Sequence, residues 1–198
     1  MLESTFYNQD SLTAAQALLG CELIYIPAGG EPVGGRIAET EAYRQDDEAS
    51  HSYRGLTKRN AVMFGAGGHA YVYFTYGVHY CFNVVVGEAG FAEAVLIRAL
   101  EPTHGVKQME LNRGTSEQWQ LCSGPGKLVQ ALGLGRQHNG ASLLTPELQI
   151  RERTVQPRVI AGPRIGISRA ADKPWRFMIA DSPWVTRHKF NKQAQAVA

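Results

Sequence analysis

The sequence predicts a mixed α+β domain built on a largely antiparallel sheet. Three observations predict it. Runs of strand-forming residues outnumber helical ones, adjacent runs are joined as hairpins by glycine-containing turns, and the helical stretches are short. At 198 residues, the whole chain 1–198 reads as one domain, large enough for a real core. Hydrophobic residues make up 44% and charged residues 19%, which excludes a disordered chain.

The elements follow in order. Residues 11–19 read as a short helix, with Ser11 as cap, an alanine-rich body and Gly20 as stop. Residues 21–26 form a strand, Ala28-Gly29-Gly30 a turn, and residues 33–43 a second extended run. Residues 46–58 are polar and loop-like, and residues 60–64 make a helical turn closed by Gly65-Ala66-Gly67-Gly68. A hairpin spans residues 70–86. The apolar run 94–100 is interrupted only by Arg98 and ends at Glu101-Pro102. Residues 103–113 are helical and stop at Gly114. Ser123 can cap a helix from Gly124 through Leu132, with Pro125 tolerated in its first turn. Ile150, residues 159–167 and residues 177–180 read as late short strands, and residues 193–198 as a frayed tail.

Composition narrows the class of function. No uninterrupted apolar run is long enough to span a bilayer, so no membrane partner is expected. The start, Met1-Leu2-Glu3-Ser4-Thr5, has no basic stretch followed by an apolar one, and a cytoplasmic location is expected. Cys21, Cys81 and Cys122 lack metal-ligand spacing and read as reduced core thiols. The net charge of +2 permits nucleic-acid binding without demanding it. Local clusters, Arg54 with Lys58 and Arg59, and Arg187 with Lys189 and Lys192, are either a basic footprint or ordinary solvated charge.

Two segments carry chemistry. Residues 36–43 read Arg-Ile-Ala-Glu-Thr-Glu-Ala-Tyr. In an extended chain Glu39, Glu41 and Tyr43 share one face, with Arg36, Ala38, Thr40 and Ala42 on the other. Arg98 lies in the apolar strand Val95-Leu96-Ile97-Arg98-Ala99-Leu100. A buried guanidinium needs a partner, and Glu41 or Glu39 can provide one. The result is either a plain buried ion pair or a carboxylate oriented by arginine to deprotonate water.

The second segment, residues 71–83, places four of the chain's 8 tyrosines around one turn. A loop of Gly77, Val78 and His79 would set Tyr76 against Tyr80 and Tyr73 against Asn83. Ring and amide would then meet on one face, as floor and edge of a site for a flat, aromatic group, with Tyr76 at the tip. Such a hairpin can also be made of ordinary core aromatics. A water-activating carboxylate beside stacking rings suggests hydrolysis of something flat and aromatic.

Other motifs are quieter. His51, in Ala49-Ser50-His51-Ser52, follows the acid strand as a lone histidine. There is no HExxH, HxxxH or CxxC, so neither a metal nor any other cofactor is expected. Ser123-Gly124-Pro125-Gly126-Lys127 fails the phosphate-loop pattern, because Leu121 stands where its first glycine belongs and Leu128 follows the lysine. No GxSxG elbow is present.

In order, these strings resemble one family. They are residues 35–43, residues 47–52, Arg59-Asn60 with Met63-Phe64, residues 71–83, residues 96–102, residues 121–128 and Ser182-Pro183-Trp184-Val185. The chain resembles the alkyladenine (3-methyladenine) DNA glycosylases that lack a helix-hairpin-helix motif. The resemblance implies one domain with a curved antiparallel sheet flanked by short helices and a protruding hairpin. It implies excision of alkylated or deaminated purines from double-stranded DNA by a monomer, and a nucleoid association if the source is bacterial. It matches Glu41 to the water-activating base and Arg98 to the arginine that helps hold the water. Tyr43 and His51 match residues that sandwich and hydrogen-bond the flipped base, and Tyr73 the opposing ring. Ala49 matches the position whose carbonyl faces the base edge. Asn83 matches the amide that screens against an exocyclic amino group, and Tyr76 the side chain inserted into the duplex. The segment from Tyr43 to His51 is one residue shorter than in the vertebrate pattern. The hairpin tip reads Val78-His79 where that pattern has larger apolar or aromatic residues.

The alternative is a nucleic-acid-binding module that stacks bases and does no chemistry. It explains Tyr73 and Tyr76. It leaves Glu41 unexplained, because backbone phosphates repel carboxylates.

Overall fold

The structure, a computed structural model, describes residues 1–75 and 77–197. Its centre is an antiparallel pair of long strands, β2 (Val33–Arg44) and β5 (Glu93–His104). The hairpin β3 (Ala70–Thr75) and β4 (His79–Val86) extends the sheet through β4 against β5. On the other side β8 (Arg176–Ile179) pairs with β2, and β7 (Val159–Gly162) pairs with β8. The pair β1 (Glu22–Tyr25) and β6 (Leu148–Arg151) joins the first half of β2. Every strand pairing among the described residues is antiparallel, as alternating patterns and short turns predicted.

Alternation sorts the chemistry. On one face Ala42, Val72, Phe82, Val84, Val95 and Ile97 join the main core under α1 (Ser11–Ala17) and α4 (Pro125–Leu132). Thr40 on that face donates its hydroxyl to the Ala15 carbonyl of α1, 2.8 Å away. Two further helices, α2 (Val106–Arg113) and α3 (Gln118–Leu121), pack beside α4. The opposite face carries Glu39, Glu41, Tyr71, Tyr73, Cys81, Asn83 and Arg98.

Four expectations need correction. Asp10, not Ser11, caps α1, accepting from the amides of Leu12 and Thr13, since its carboxylate reaches both free donors. The apolar run does not end at Pro102. Strand β5 continues to His104, with Pro102 opposite Gly35, and there β4 no longer flanks it, so the missing N–H costs no ladder bond. Helix α4 starts at Pro125 with Gly124 before it, and no side chain caps it. The tail is not frayed through residue 196. Strand β9 (Gln195–Ala196) pairs with β7 at Ile160 and Ala161.

The hairpin register also differs. Tyr71 stands opposite Asn83, Tyr73 opposite Cys81 and Thr75 opposite His79. Val78 donates to the Thr75 carbonyl, and Gly77 takes φ 68°, so the turn closes one residue earlier than expected. Both pairings keep Tyr73 and Asn83 on one face. Tyr76, expected at the tip, lies outside the described residues.

Candidate active site

Besides a shift between Gly34 and Gly35, the ladder between β2 and β5 slips twice near the site, between Ile37 and Glu39 and between Glu39 and Thr40. The second slip leaves Arg98 without a partner on β2, as in a bulge, and a bulge re-aims a side chain. Arg98 is thereby set between two carboxylates. Its Nε donates to Glu39 Oε1 at 3.2 Å, and its Nη1 lies 3.3 Å from Glu41 Oε2. Both glutamates are fully buried. Burial opposes the charge on Arg98, but Glu41 and then Glu39 outweigh it and hold its pKa above the usual range.

Glu41 has further donors. The Tyr43 hydroxyl donates to Oε2 at 2.8 Å, and the backbone N–H of Ile165 donates to Oε1 at 2.7 Å. Burial, and next the Glu41 charge, raise the pKa of Tyr43, so its phenol remains a donor. Glu39 is held instead by Arg98, by Arg176 Nη1 at 2.9 Å and by the Thr186 N–H at 2.8 Å.

Beside this network opens a cavity of about 570 Å³. Tyr43, Ala49, His51, Tyr73, Asn83 and Arg98 all line it. Glu41 stands behind the wall, one hydrogen bond from Tyr43 and one ion pair from Arg98. The rings of His51 and Tyr73 meet at 4.5 Å and 72°, so a flat ligand cannot slot between these two without parting them. His51 Nδ1 lies 3.1 Å from the Tyr71 hydroxyl. Burial pushes the Tyr71 phenol up to about 12, so it keeps its proton and can donate to Nδ1 when that nitrogen carries none. Burial, and then Arg59, lower the pKa of His51, which favours the neutral imidazole. Asn83 Nδ2 donates to the Tyr71 carbonyl at 3.0 Å, which fixes the plane of the amide.

Comparison with known proteins decides what this arrangement belongs to. A family model described as methylpurine-DNA glycosylase matches residues 5–183. The chain belongs to the methylpurine-DNA glycosylase family. This glycosylase is 50% identical over 185 residues to a protein of Rhodopseudomonas palustris (strain HaA2), covering 93% of this chain and 90% of that one. It is 49% identical over 191 residues to one of Methanoculleus marisnigri, covering 94% and 98%. A Chlorobaculum tepidum protein is 48% identical over 189 residues, covering 94% and 90%. All three are named, provisionally, 3-methyladenine DNA glycosylase. The glycosylase is thus a hydrolase acting on N-glycosyl bonds, and a DNA-repair protein.

Several residues of the site were not singled out from sequence. Tyr71 is the partner of His51, and its place on the Tyr73 face was readable from alternation. Arg59 lies 5.5 Å over the Tyr73 ring and donates to the Phe74 carbonyl. Arg164 and the Ile165 amide lie in residues 159–167, read as a strand, but β7 ends at Gly162 and leaves them in an irregular segment, while Arg176 opens β8 one residue before its expected start. The quiet motif at residues 123–127 does reach the cavity, where Gly124, Pro125, Gly126 and Lys127 form part of the lining. Gly126 is required there, because a Cβ would come within 2.8 Å of the His79 ring. Among the described residues no cluster of histidine, cysteine or carboxylate groups could hold a metal.

Proposed function

We propose that this glycosylase acts as a monomer on duplex DNA, taking a damaged purine out of the stack and hydrolysing its N-glycosidic bond with water activated by Glu41. The observation that carries this reading is the binding of Glu41. A fully buried carboxylate is held by three donors at the wall of a cavity lined with aromatic rings. The base is unreachable within the duplex, so it must leave the stack, at a cost of roughly a few kcal/mol that is lower for a poorly paired lesion. Stacking on Tyr73, with Tyr43 at the other side, offsets this by about 1–3 kcal/mol per base. Tyr76 fills the gap left in the duplex.

In the chemical step the water oxygen bonds to the anomeric carbon as the carbon–nitrogen bond breaks. The bonding pair leaves with the base, and the water proton passes to Glu41. A cationic alkylated purine leaves as a neutral molecule, whereas a neutral lesion such as hypoxanthine needs a proton on leaving. The Glu41 carboxylate also steadies the positive charge developing on the sugar. Arg98 holds the carboxylate and the water. Lys127 lines the cavity but donates its ammonium to Ser123 Oγ, and hydrolysis by water leaves a free base and an abasic site. Asn83 presents an N–H to the base edge, where the amino group of normal guanine would collide with it.

Release of free base from a methylated duplex tests the reading. Glu41→Gln keeps the shape and loses the proton acceptor. Lesion binding is expected to persist while single-turnover excision falls by more than about a hundredfold. Excision within about tenfold of wild type, ~1.4 kcal/mol in the barrier, rules Glu41 out as the base.

A further inference from the structure

The segment 163–170 between β7 and β8 has no helix or strand of its own, yet it supplies the Ile165 N–H to Glu41. Something must fix its path. At its start the Pro163 carbonyl accepts from Arg176 Nε at 2.8 Å. The next residue, Arg164, is 1% exposed and reaches back across the site. Its Nη1 and Nη2 both donate to the buried carboxylate of Asp47, the latter at 3.0 Å. Nη1 also donates to the Ala42 carbonyl at 3.0 Å, and Nη2 to the Ala170 carbonyl at 3.3 Å. The guanidinium centre lies 4.7 Å from the Tyr43 ring and 5.2 Å from the Trp175 ring.

This arrangement is costly. A buried ion pair gains little over well-packed apolar residues. Among the described residues Arg164 Nε is buried without a hydrogen-bond partner, and Ala170, whose carbonyl the guanidinium holds, takes φ 46°, a region that side-chain-bearing residues rarely adopt. Stability alone does not call for this. What the guanidinium does is join four parts of the site: the strand before Tyr43, the loop before His51, the far end of the segment at Ala170 and the face of the Tyr43 ring. Ile165 and Tyr43, the two neighbours it fixes, donate the two shortest hydrogen bonds to Glu41.

We propose that Arg164, clamped by Asp47 between Tyr43 and Trp175, is a positioning residue for the hydrolysis, holding the Ile165 N–H and the Tyr43 hydroxyl on Glu41. The proposal rests on the reading of Glu41 given above. Arg164 touches neither base nor water. It acts on the rate of the chemical step and leaves the grip on DNA to other residues.

The test separates rate from binding. Single-turnover release from a methylated duplex gives the rate, and affinity for a duplex carrying an uncleavable abasic analogue gives binding. Arg164→Lys keeps the charge beside Asp47 but loses the planar fork. Its excision rate is expected to fall about thirtyfold or more, with affinity changed less than about threefold. Trp175→Leu removes one of the two flanking rings and slows excision in the same sense by less, while Trp175→Phe keeps a ring and stays near wild type. Melting of each variant is followed, and if Arg164→Lys does not fold at the assay temperature, the two Trp175 variants decide. Excision by Arg164→Lys within about threefold of wild type, rate and affinity falling in step, or equal rates for the two Trp175 variants each overturn the proposal. Glu41→Gln is run alongside. If it retains excision, the reading of Glu41 fails; if it is inactive while Arg164→Lys stays active, only the clamp fails.

Discussion

Glu39 and Glu41 occupy one face of β2, both fully buried, and the protein holds them in opposite ways. Glu39 lies between two guanidinium groups and a backbone amide, with Arg176 and Arg98 both on Oε1 and the Thr186 N–H on Oε2. Glu41 shares one guanidinium, and its other donors, a phenol and an amide, are uncharged. A carboxylate fully matched by cations is a structural joint. The one with a single cation and neutral donors, beside a cavity, is the one proposed above to activate water. Sequence makes the two look alike; the difference lies in what arrives from elsewhere in the chain.

The comparison breaks if both glutamates answer alike to the same change. Glu41→Gln is expected to abolish excision while shifting the melting temperature little, because an amide can keep the contact with Ile165. The largest effect on stability falls on Glu39→Gln. It takes from the buried Arg176 its carboxylate partner, while Arg98 keeps Glu41, and costs about 3–5 kcal/mol. Denaturant unfolding of the two variants side by side measures this, and equal losses would erase the distinction drawn here.

Two smaller changes sharpen the division between chemistry and shape. Asn83→Ser shortens the amide and is expected to raise release of normal guanine while changing hypoxanthine release less. If the two change by one factor, Asn83 serves only the hairpin. Tyr71→Phe removes the hydroxyl bonded to His51 Nδ1 and costs about 1 kcal/mol of local hydrogen bonding. The balance between the two imidazole tautomers is then expected to move, which nitrogen chemical shifts of His51 report directly. Unchanged shifts would mean that Tyr71 does not set the proton's place.

Much of this site was legible because alternation is robust. Glu39, Glu41 and Tyr43 fall on one face under any register, and an arginine in an apolar strand demands a carboxylate. The hairpin shows the same robustness. The pairing of Tyr73 with Asn83 was wrong by one residue on each strand, yet two such slips cancel and the shared face survives. Arg164 and Arg176 were not legible. They meet Asp47 and Glu39 from 117 and 137 positions away, and a local strand pattern does not give contacts of that separation. The cap of α1 was misread for a simpler reason: Asp10 and Ser11 are adjacent, and either can start a helix.

The bond from the Thr186 N–H to Glu39 joins residues 147 positions apart, and Asn191 braces Arg176 from beyond it. During synthesis the chain emerges N-terminus first. By residue 167 every side chain proposed to touch the base or the water already exists. Of the three donors that hold Glu39, only Arg98 is present at that stage, and Arg176 and Thr186 have still to be made. Native contacts of such long sequence separation form late, since loop closure must precede them. A nascent chain therefore carries the hairpin and its stacking rings well before it can seat Glu39, which waits for residues 176–191.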